Sequence, residues 1–394
     1  MAAEARHRGR GRRAPLKGGA RLALLAGLTL TGSVLAAPYL PRSDTEVLAT
    51  VPPGAAHASG ATRAEASARL DVALPLAQFY ISQARGSGDL RFLGYADAAL
   101  EPWRKHDPPL PAVLVLEATI LQSRHAFPAA LTMLTSALAL RPDDAQAWLT
   151  RATIERVLGE YVQAQTSCAR ITAADPVVAQ ICSAGVLGLS GQLTVAEAQL
   201  RAAPEDGLPP EAQAWHWSEL GDVEVRRGEA TQAERAYRNA LQRFPADSYS
   251  RTAYADLLLE QNRPREVLSL LAGDESIEPM LLRIALAEQQ LRDPQLTSSR
   301  ALLADAFDVE ERRGEAVHRR EQARYLLDIE HDARAALRAA LEDWQVQREP
   351  ADLLILLRAA GAAGEPRAAA PARDFIALHG TEDARLALYL EAPQ

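Results

Sequence analysis

Apolar residues recur every three or four positions along most of this chain, beginning near Arg69. Such spacing places apolar side chains along one face of an α-helix. Aromatic residues make up only 5% of the sequence and alanine is abundant. Small side chains let helices approach closely, which suits stacked helices better than a sheet. We predict helices over 70–85, 89–103, 277–291, 296–312, 316–329, 332–346, 351–362, 366–379 and 382–391.

The middle of the chain repeats with a fixed period. Three pairs of equivalent residues lie 34 positions apart: Ala118 and Ala152, Ala130 and Ala164, and Pro142 and Pro176. A fixed period of this length is typical of stacked helix pairs. The repeat at 179–213 is irregular, with Gly185, Gly188 and Gly191 and a shortened second helix. Because each repeat is stabilised by its neighbours, we predict that this one is the least stable part of the array.

The stretch from Trp217 to Pro245 carries the clearest form of the repeat. Its marker residues are Trp217, Leu220, Gly221, Ala233, Tyr237 and Pro245. This order resembles the tetratricopeptide repeat, a helix–turn–helix unit. Glu224 stands where the family carries an aromatic residue, so we expect that contact to be made differently. The resemblance implies an all-α, right-handed superhelical solenoid of tetratricopeptide-like helix pairs with a concave face.

The chain divides into three predicted parts. Residues 1–36 combine a basic head with an apolar run and resemble a signal peptide, with a cleavage site after Ala36. Residues 37–68 form a flexible linker rich in Pro, Ala and Ser. Residues 69–394 form the repeat array, clearest over 111–272 and divergent over 273–394.

The apolar run of the first part bears on where the protein resides. The run has about 15 residues, whereas a membrane-spanning helix needs roughly 20. We therefore predict an exported, periplasmic protein. The alternative is an uncleaved single-pass anchor in the inner membrane, with the array facing the periplasm.

Charge is distributed unevenly along the chain. Residues 1–36 carry seven of the 43 basic and one of the 51 acidic residues, so the rest has 36 basic and 50 acidic residues, a net charge of −14. An acidic body repels the phosphate backbone of nucleic acids. We predict no nucleic-acid partner, and membrane contact only through the N-terminal segment.

Motifs that would indicate catalysis or metal binding are weak. A phosphate-binding glycine loop is absent from the sequence. Glu315 and His318 have metal-ligand spacing, but the surrounding arginines Arg312, Arg313, Arg319 and Arg320 favour a solvated, salt-bridged helix face instead. We predict no catalytic residue, no metal, no cofactor and no enzymatic activity.

The two cysteines, Cys168 and Cys182, fall in neighbouring predicted helices. An exported protein could join them in a disulfide. Cysteine is also a small apolar residue that is commonly buried without pairing. We expect two unpaired core residues, with the disulfide as the alternative.

The resemblance implies that ligands lie along the concave face, which is formed by the first helix of each repeat. The residues predicted there as a binding surface are Arg156, Trp215, Ser218, Asp222, Arg226, Tyr249 and Asp256. Further residues on that face are Gln146, Leu149, Thr153 and Thr252. Tryptophan and arginine are frequent at binding hot spots.

This surface leads to a prediction of function. We expect a scaffold that binds a segment of another protein, of unknown identity, in the groove. One alternative is a membrane-anchored assembly or accessory subunit of an envelope complex. Another is a small-ligand or glycan-binding protein, which would need an enclosed pocket with convergent polar groups.

Overall fold

The protein is built from α-helices that pack in consecutive pairs. The computed structural model describes residues 62, 65, 66, 68–313 and 318–390. The α-helices are α1 Leu70–Ser87, α2 Arg91–Leu100, α3 Pro111–Ser123, α4 Phe127–Leu140, α5 Ala145–Val157, α6 Tyr161–Ala169, α7 Pro176–Leu189, α8 Leu193–Ala202, α9 Pro210–Arg226, α10 Ala230–Arg243, α11 Ser248–Glu260, α12 Pro264–Leu270, α13 Glu278–Leu291, α14 Leu296–Arg313, α15 Arg319–Asp328, α16 Ala333–Val346, α17 Pro350–Ala362, α18 Ala370–His379 and α19 Ala387–Leu390. Short 3-10 helices cover Glu101–Trp103, Pro366–Ala369 and Ala384–Leu386.

These helices confirm the predicted fold class. No β-strand occurs among the described residues, and the helices follow the predicted order along the chain. The bounds differ mainly at α15, which begins at Arg319 instead of residue 316, and in the last two predicted helices, which begin with a 3-10 turn. The protein is an all-α solenoid of tetratricopeptide-like helix pairs.

Aspartate and proline fix where several helices begin. The Asp144 side chain accepts a hydrogen bond from the backbone N–H of Ala147, and Asp175 accepts from the N–H groups of Val177 and Val178. These bonds satisfy donors that a helix start leaves free. Pro176 occupies the first position of α7, where no intrahelical bond is lost.

The marker residues of the repeat make the contacts that pair α9 with α10. Gly221 on α9 faces the Tyr237 ring, and a Cβ atom added to Gly221 would lie 2.5 Å from that ring. Only glycine fits so close an approach. Glu224, at the aromatic position, is completely buried and forms ion pairs with Arg201 and Arg227. The missing aromatic contact is therefore replaced by a buried acid between two arginines.

The irregular repeat contains two complete helices, α7 and α8. Gly185 and Gly188 lie in α7 where buried side chains cross it. A Cβ atom at Gly185 would lie 2.7 Å from the Glu219 carboxylate, and one at Gly188 would lie 2.9 Å from the Arg226 guanidinium. These glycines make room for charged side chains of α9. The predicted low stability of this repeat stays a prediction.

Helices α17 to α19 pack back on the middle of the array. Phe375 of α18 covers Gly159, and its ring also contacts Tyr161, with the ring centroids 5.8 Å apart. The backbone N–H of Arg348 donates to the Val157 carbonyl at 2.8 Å. One apolar core joins residues of α5 to α7 with residues of α15 to α18. The divergent part of the chain is thus fixed to the regular part.

The first helix pair is joined to α11 and α13. The Ser248 hydroxyl at the start of α11 donates to the Arg85 carbonyl at 2.6 Å. Gly88, in the turn after α1, has a positive φ of 66° and lies directly against Ile277. These contacts hold the first helix pair against the start of α11 and against Ile277, which precedes α13.

Cys168 of α6 and Cys182 of α7 form a disulfide, with their Cα atoms 5.6 Å apart. Both cysteines are buried in the shared core. Our expectation of two unpaired cysteines is therefore wrong. It failed because burial and pairing are compatible at this site: the two helices bring the side chains together inside the core.

Several sequence predictions fall on residues outside the described part. They are the signal peptide with its cleavage site at Ala36, most of the linker at 37–68, and Glu315. Among the described residues, none of the helices has the length and apolar character needed to cross a membrane.

Candidate ligand cavity

The inner faces of the helices surround two adjoining cavities. The larger has a volume of about 440 Å³ and the smaller about 380 Å³. Residues that line both are Arg85, Ser123, Arg156 and Tyr249. The first helix pair and the divergent helices add to the lining of these cavities, which remain partly open to solvent.

Most residues predicted for the concave face line these cavities. Arg156, Asp222, Arg226, Tyr249 and Asp256 line the larger cavity. The residues that line the smaller one include Trp215, Gln146, Leu149 and Thr153. Their placement follows from the register of the first helices. Their role in binding stays a prediction.

Ser218 lies elsewhere. It lines neither cavity, its side chain is buried, and its hydroxyl donates to the Trp215 carbonyl at 2.9 Å. Trp215 lies three residues before Ser218, so the Ser218 hydroxyl bonds to the backbone of its own helix. Ser218 therefore lies outside both cavities, and its role in binding stays a prediction.

Arg156 and Glu219 form the ion pair between the two cavities. Both side chains are largely buried, and the Trp215 indole N–H donates to the same Glu219 carboxylate at 2.9 Å. Burial alone would raise the pKa of Glu219, but the charge of Arg156 and these hydrogen bonds outweigh it and lower the pKa. The pair is charged at neutral pH.

Asp222 is held by two tyrosines instead of a cation. The hydroxyls of Tyr237 and Tyr249 donate to its two oxygens at 2.7 and 2.6 Å. Burial, together with the nearby charge of Glu219, raises the pKa of Asp222 to about 6. Tyr249 is 53% exposed and lines both cavities. The tyrosine ring is thus available to an occupant.

Asp256 connects the array to the divergent helices. Arg283 of α13 and Arg324 of α15 donate to its carboxylate at 2.7 and 2.6 Å. Burial opposes the charged form, but the two arginines outweigh burial and lower the pKa of Asp256 to about 2. Asp256 lines the cavity with its carboxylate already neutralised.

Sequence reasoning missed the cavity residues from the closing segments. These are chiefly Arg85, His125, Arg283, Arg320, Glu349 and Arg385. Most of them lie outside residues 111–272, where the repeat is clear. The repeat pattern therefore could not predict which face of a helix they occupy. The neighbouring arginines Arg319 and Arg320 were the available signal, and we predict a solvated face there.

His318 was considered as a metal ligand with Glu315. In the structure its Nδ1 lies 2.6 Å from a Glu310 oxygen and 3.3 Å from a Glu278 oxygen. Burial alone would lower the pKa of His318, but the hydrogen bonds and charges of these glutamates raise it to about 10. In this structure the three side chains form ion pairs, but their ligand atoms also lie close enough together to hold a metal ion, so the absence of a metal stays a prediction. The site is partly buried, which corrects our prediction of a solvated face.

Comparisons with known proteins find similarity only among solved structures. No family model and no curated protein matches the chain. A structure of Pseudomonas aeruginosa PilF is 18% identical, with a TM-score of 0.37, and covers 50% of this chain and 92% of its own. The tetratricopeptide protein TTC0263 of Thermus thermophilus is 24% identical, with a TM-score of 0.37, and covers 46% of this chain and 99% of its own.

A third similar structure is the human IFIT1 dimer with PPP-AAAA. It is 16% identical, with a TM-score of 0.45, and covers 74% of this chain and 69% of its own. Identities and TM-scores this low limit the likeness to helical repeats and support no statement about ligands. The chain has the fold of a tetratricopeptide-like array, as its own helix pairing establishes.

Proposed function

We propose that the protein is an exported, non-enzymatic scaffold that binds a short segment of a partner protein inside the two adjoining cavities. One observation carries this proposal. The concave-face residues, apart from Ser218, gather around two adjoining cavities that are partly open to solvent. Volumes of about 440 and 380 Å³ fall in the range of ligand pockets, roughly 300–1,000 Å³.

The chemistry of the cavity walls favours binding over catalysis. The acids at Glu219, Asp222 and Asp256 are each occupied by arginines or tyrosines. An acid held in such a pair is poorly placed to take a proton from a substrate. A segment that enters could contact the Tyr249 ring and the Trp215 indole, which offer large surfaces at small entropic cost.

Export is proposed from the N-terminal sequence and the disulfide. The basic head and apolar run of residues 1–36 are typical of a secretory signal. The Cys168–Cys182 disulfide suits an oxidising compartment such as the periplasm. If the N-terminal segment is not cleaved, the same array would act as an anchored accessory subunit. N-terminal sequencing of the mature protein separates these cases.

A second candidate function is the binding of a free small molecule. The specific observation that favours it is the convergence of polar side chains on the larger cavity, such as those of Arg156, Asp222 and Tyr249. A small-ligand site needs a few polar groups placed together in this way. A small molecule would leave no cross-linked protein behind, so one experiment can distinguish the two occupants.

That experiment places a photo-reactive phenylalanine analogue at position 249, which lines both cavities. The matched control is position 162 on α6, where Val162 is 79% exposed and lines neither cavity. After irradiation in cells, we expect one partner protein cross-linked at 249 and absent at 162. Mass spectrometry should map the link to a single short segment of the partner.

Two other results would count against a partner segment. Equal capture at 249 and 162 would mean that the cavity plays no role. A link at 249 to a small molecule, without protein, would favour the second candidate function instead.

A further inference from the structure

Six arginines line the larger cavity, and four of them have acidic partners. The pairs are Arg156 with Glu219, Arg283 with Asp256, Arg320 with Glu349, and Arg385 with Asp383. The other two, Arg85 and Arg226, form no side-chain hydrogen bond or ion pair with any described residue. Arg85 is exposed, whereas Arg226 is buried. A buried charge normally has a partner, because burial removes its hydration.

Arg226 is the more deeply placed of the two. It is the last residue of α9 and only 5% exposed. Its Nε has no hydrogen-bond partner in the described part of the chain. Its Nη2 lies close to α7, where a Cβ atom at Gly188 would come within 2.9 Å of it. The absence of a side chain at Gly188 thus provides the space that this guanidinium occupies.

The acids near Arg226 are already occupied. Asp222 and Glu219 are close enough to interact with its charge. Asp222 accepts hydrogen bonds from two tyrosines, and Glu219 accepts from Arg156 and Trp215. Neither acid forms a hydrogen bond with Arg226. The guanidinium therefore retains its capacity to hold an external anion.

Arg85 supplies a second positive charge at the junction of the cavities. It lies in the last turn of α1 and lines both of them. Its side chain is exposed to solvent, so hydration helps to stabilise its charge. Near neutral pH an arginine is charged in any case. The described wall carries six acids as well as six arginines, but Arg85 and Arg226 are the two of these arginines without an ion-pair partner.

We propose that the larger cavity is an anion-binding site, in which Arg226 holds a carboxylate or phosphate group of the ligand and Arg85 adds attraction. A guanidinium binds either group through two parallel hydrogen bonds. The inference goes beyond the proposed function, because it applies equally to an acidic group of a partner segment and to a free anionic molecule.

The test measures thermal unfolding of the full-length protein with matched probes. Octanoate is compared with octanol, and inorganic phosphate with chloride at equal ionic strength. We expect octanoate or phosphate to raise the unfolding midpoint in a saturable way, while octanol and chloride do not. Arg226→Gln should weaken this binding about 10- to 100-fold, the usual effect of losing hydrogen bonds to a charged group.

Two further variants control the result. Arg265→Gln removes an exposed arginine of α12 that lines neither cavity, and it should bind the probes as the native protein does. Arg226→Lys should retain part of the affinity. Arg226→Gln without probe should be at least as stable as the native protein, because it removes an uncompensated buried charge. A marked loss of stability would mean that Arg226 is a structural residue and would contradict the proposal.

A last pair of probes separates the sources of the anion. N-acetyl-tetraalanine with a free carboxyl terminus is compared with its C-terminal amide. Binding of the acid alone indicates a peptide carboxylate, and binding of octanoate or phosphate alone indicates a free molecule. If no anionic probe stabilises the native protein, or if Arg226→Gln responds as the native protein does, the proposal is wrong. Failure of this test leaves the cross-linking test of the scaffold unaffected.

Discussion

The repeats from residue 111 to residue 271 and the helices from residue 278 to residue 390 are both helix pairs, but they are held together differently. In the first region, alanines such as Ala118 and Ala130 are completely buried where neighbouring helices meet. These alanines belong to an apolar cluster, although buried ion pairs such as Arg156–Glu219 also occur in this region. In the second region, buried charges carry many of the contacts. The comparison shows that the regular repeats supply part of the lining of the larger cavity, and that the divergent helices supply further lining residues.

The charge network around Arg320 illustrates the second region. Arg320 contacts Glu349 and Asp352 at 3.2 Å, and Glu321 also lies within ion-pairing distance. Burial and the nearby Asp352 raise the pKa of Asp343 well above its usual range. This side chain is therefore neutral at pH 7. Such a network depends on residues from α15, α16 and α17 together, so no single repeat contains it.

The largest expected effect concerns Phe375, which fixes α18 to the regular array. Phe375→Ala removes a buried ring that contacts Gly159, Tyr161 and Trp344. We expect a loss of about 3–5 kcal/mol in the free energy of unfolding, as for other buried aromatic residues. Urea denaturation measures this loss. Amide exchange in α18 and α19 should also accelerate, since their main attachment is gone.

The matched control is Phe127→Ala, which removes a buried ring inside the regular region. It should cost a similar free energy but leave the exchange of α18 and α19 unchanged relative to the rest of the molecule. If both variants accelerate exchange there equally, the two regions unfold as one unit and the distinction between them fails.

Reduction of the Cys168–Cys182 disulfide should have the next largest effect. The bond closes a loop of 14 residues within the regular region. The chain-entropy model assigns about 3 kcal/mol to such a loop. Urea denaturation with and without reductant measures this difference, and a Cys168→Ala/Cys182→Ala variant should be insensitive to reductant. Two free thiols in the native protein would contradict the prediction.

The free energy of unfolding should also decrease at alkaline pH, because His318 loses its proton. Its pKa is raised from 6.5 to about 10 by Glu278 and Glu310 in the folded protein. Stabilisation from a raised pKa is complete below pH 6.5 and is lost as the pH rises toward 10. We expect a decrease of at least about 1.4 kcal/mol, which corresponds to one pKa unit.

His318→Gln provides the reference for that measurement. Unfolding free energies of native and variant protein are compared by urea denaturation from pH 6 to pH 10, so that other titrating groups cancel. The difference between the two should shrink as the pH rises. A constant difference would mean that His318 is already neutral at the lower pH and that the ion pairs do not form.

Contacts between residues of one repeat could be predicted from the sequence, whereas contacts between residues far apart along the chain could not. Gly221 and Tyr237 lie 16 positions apart within one repeat, and their pairing followed from the repeat pattern. Arg348 and Leu158 are joined across 190 positions by a hydrogen bond. No periodicity links such residues, because their contact depends on how the whole array closes. The same limit explains why the cavity residue Arg85 was missed although Arg226 was predicted.

The smallest expected effect comes from Ser218, the one residue of the predicted binding surface that lines neither cavity. Ser218→Ala removes a hydroxyl that bonds only to the Trp215 carbonyl. We expect a change in stability below about 1 kcal/mol, because alanine is also the better helix former. Binding of the anionic probes, measured by the midpoint shift, should equal that of the native protein. Weaker binding in Ser218→Ala than in the Arg265→Gln control would mean that the occupant extends beyond the residues that line the cavities. The concave face predicted from the repeat pattern would then describe the binding site better than the cavities do.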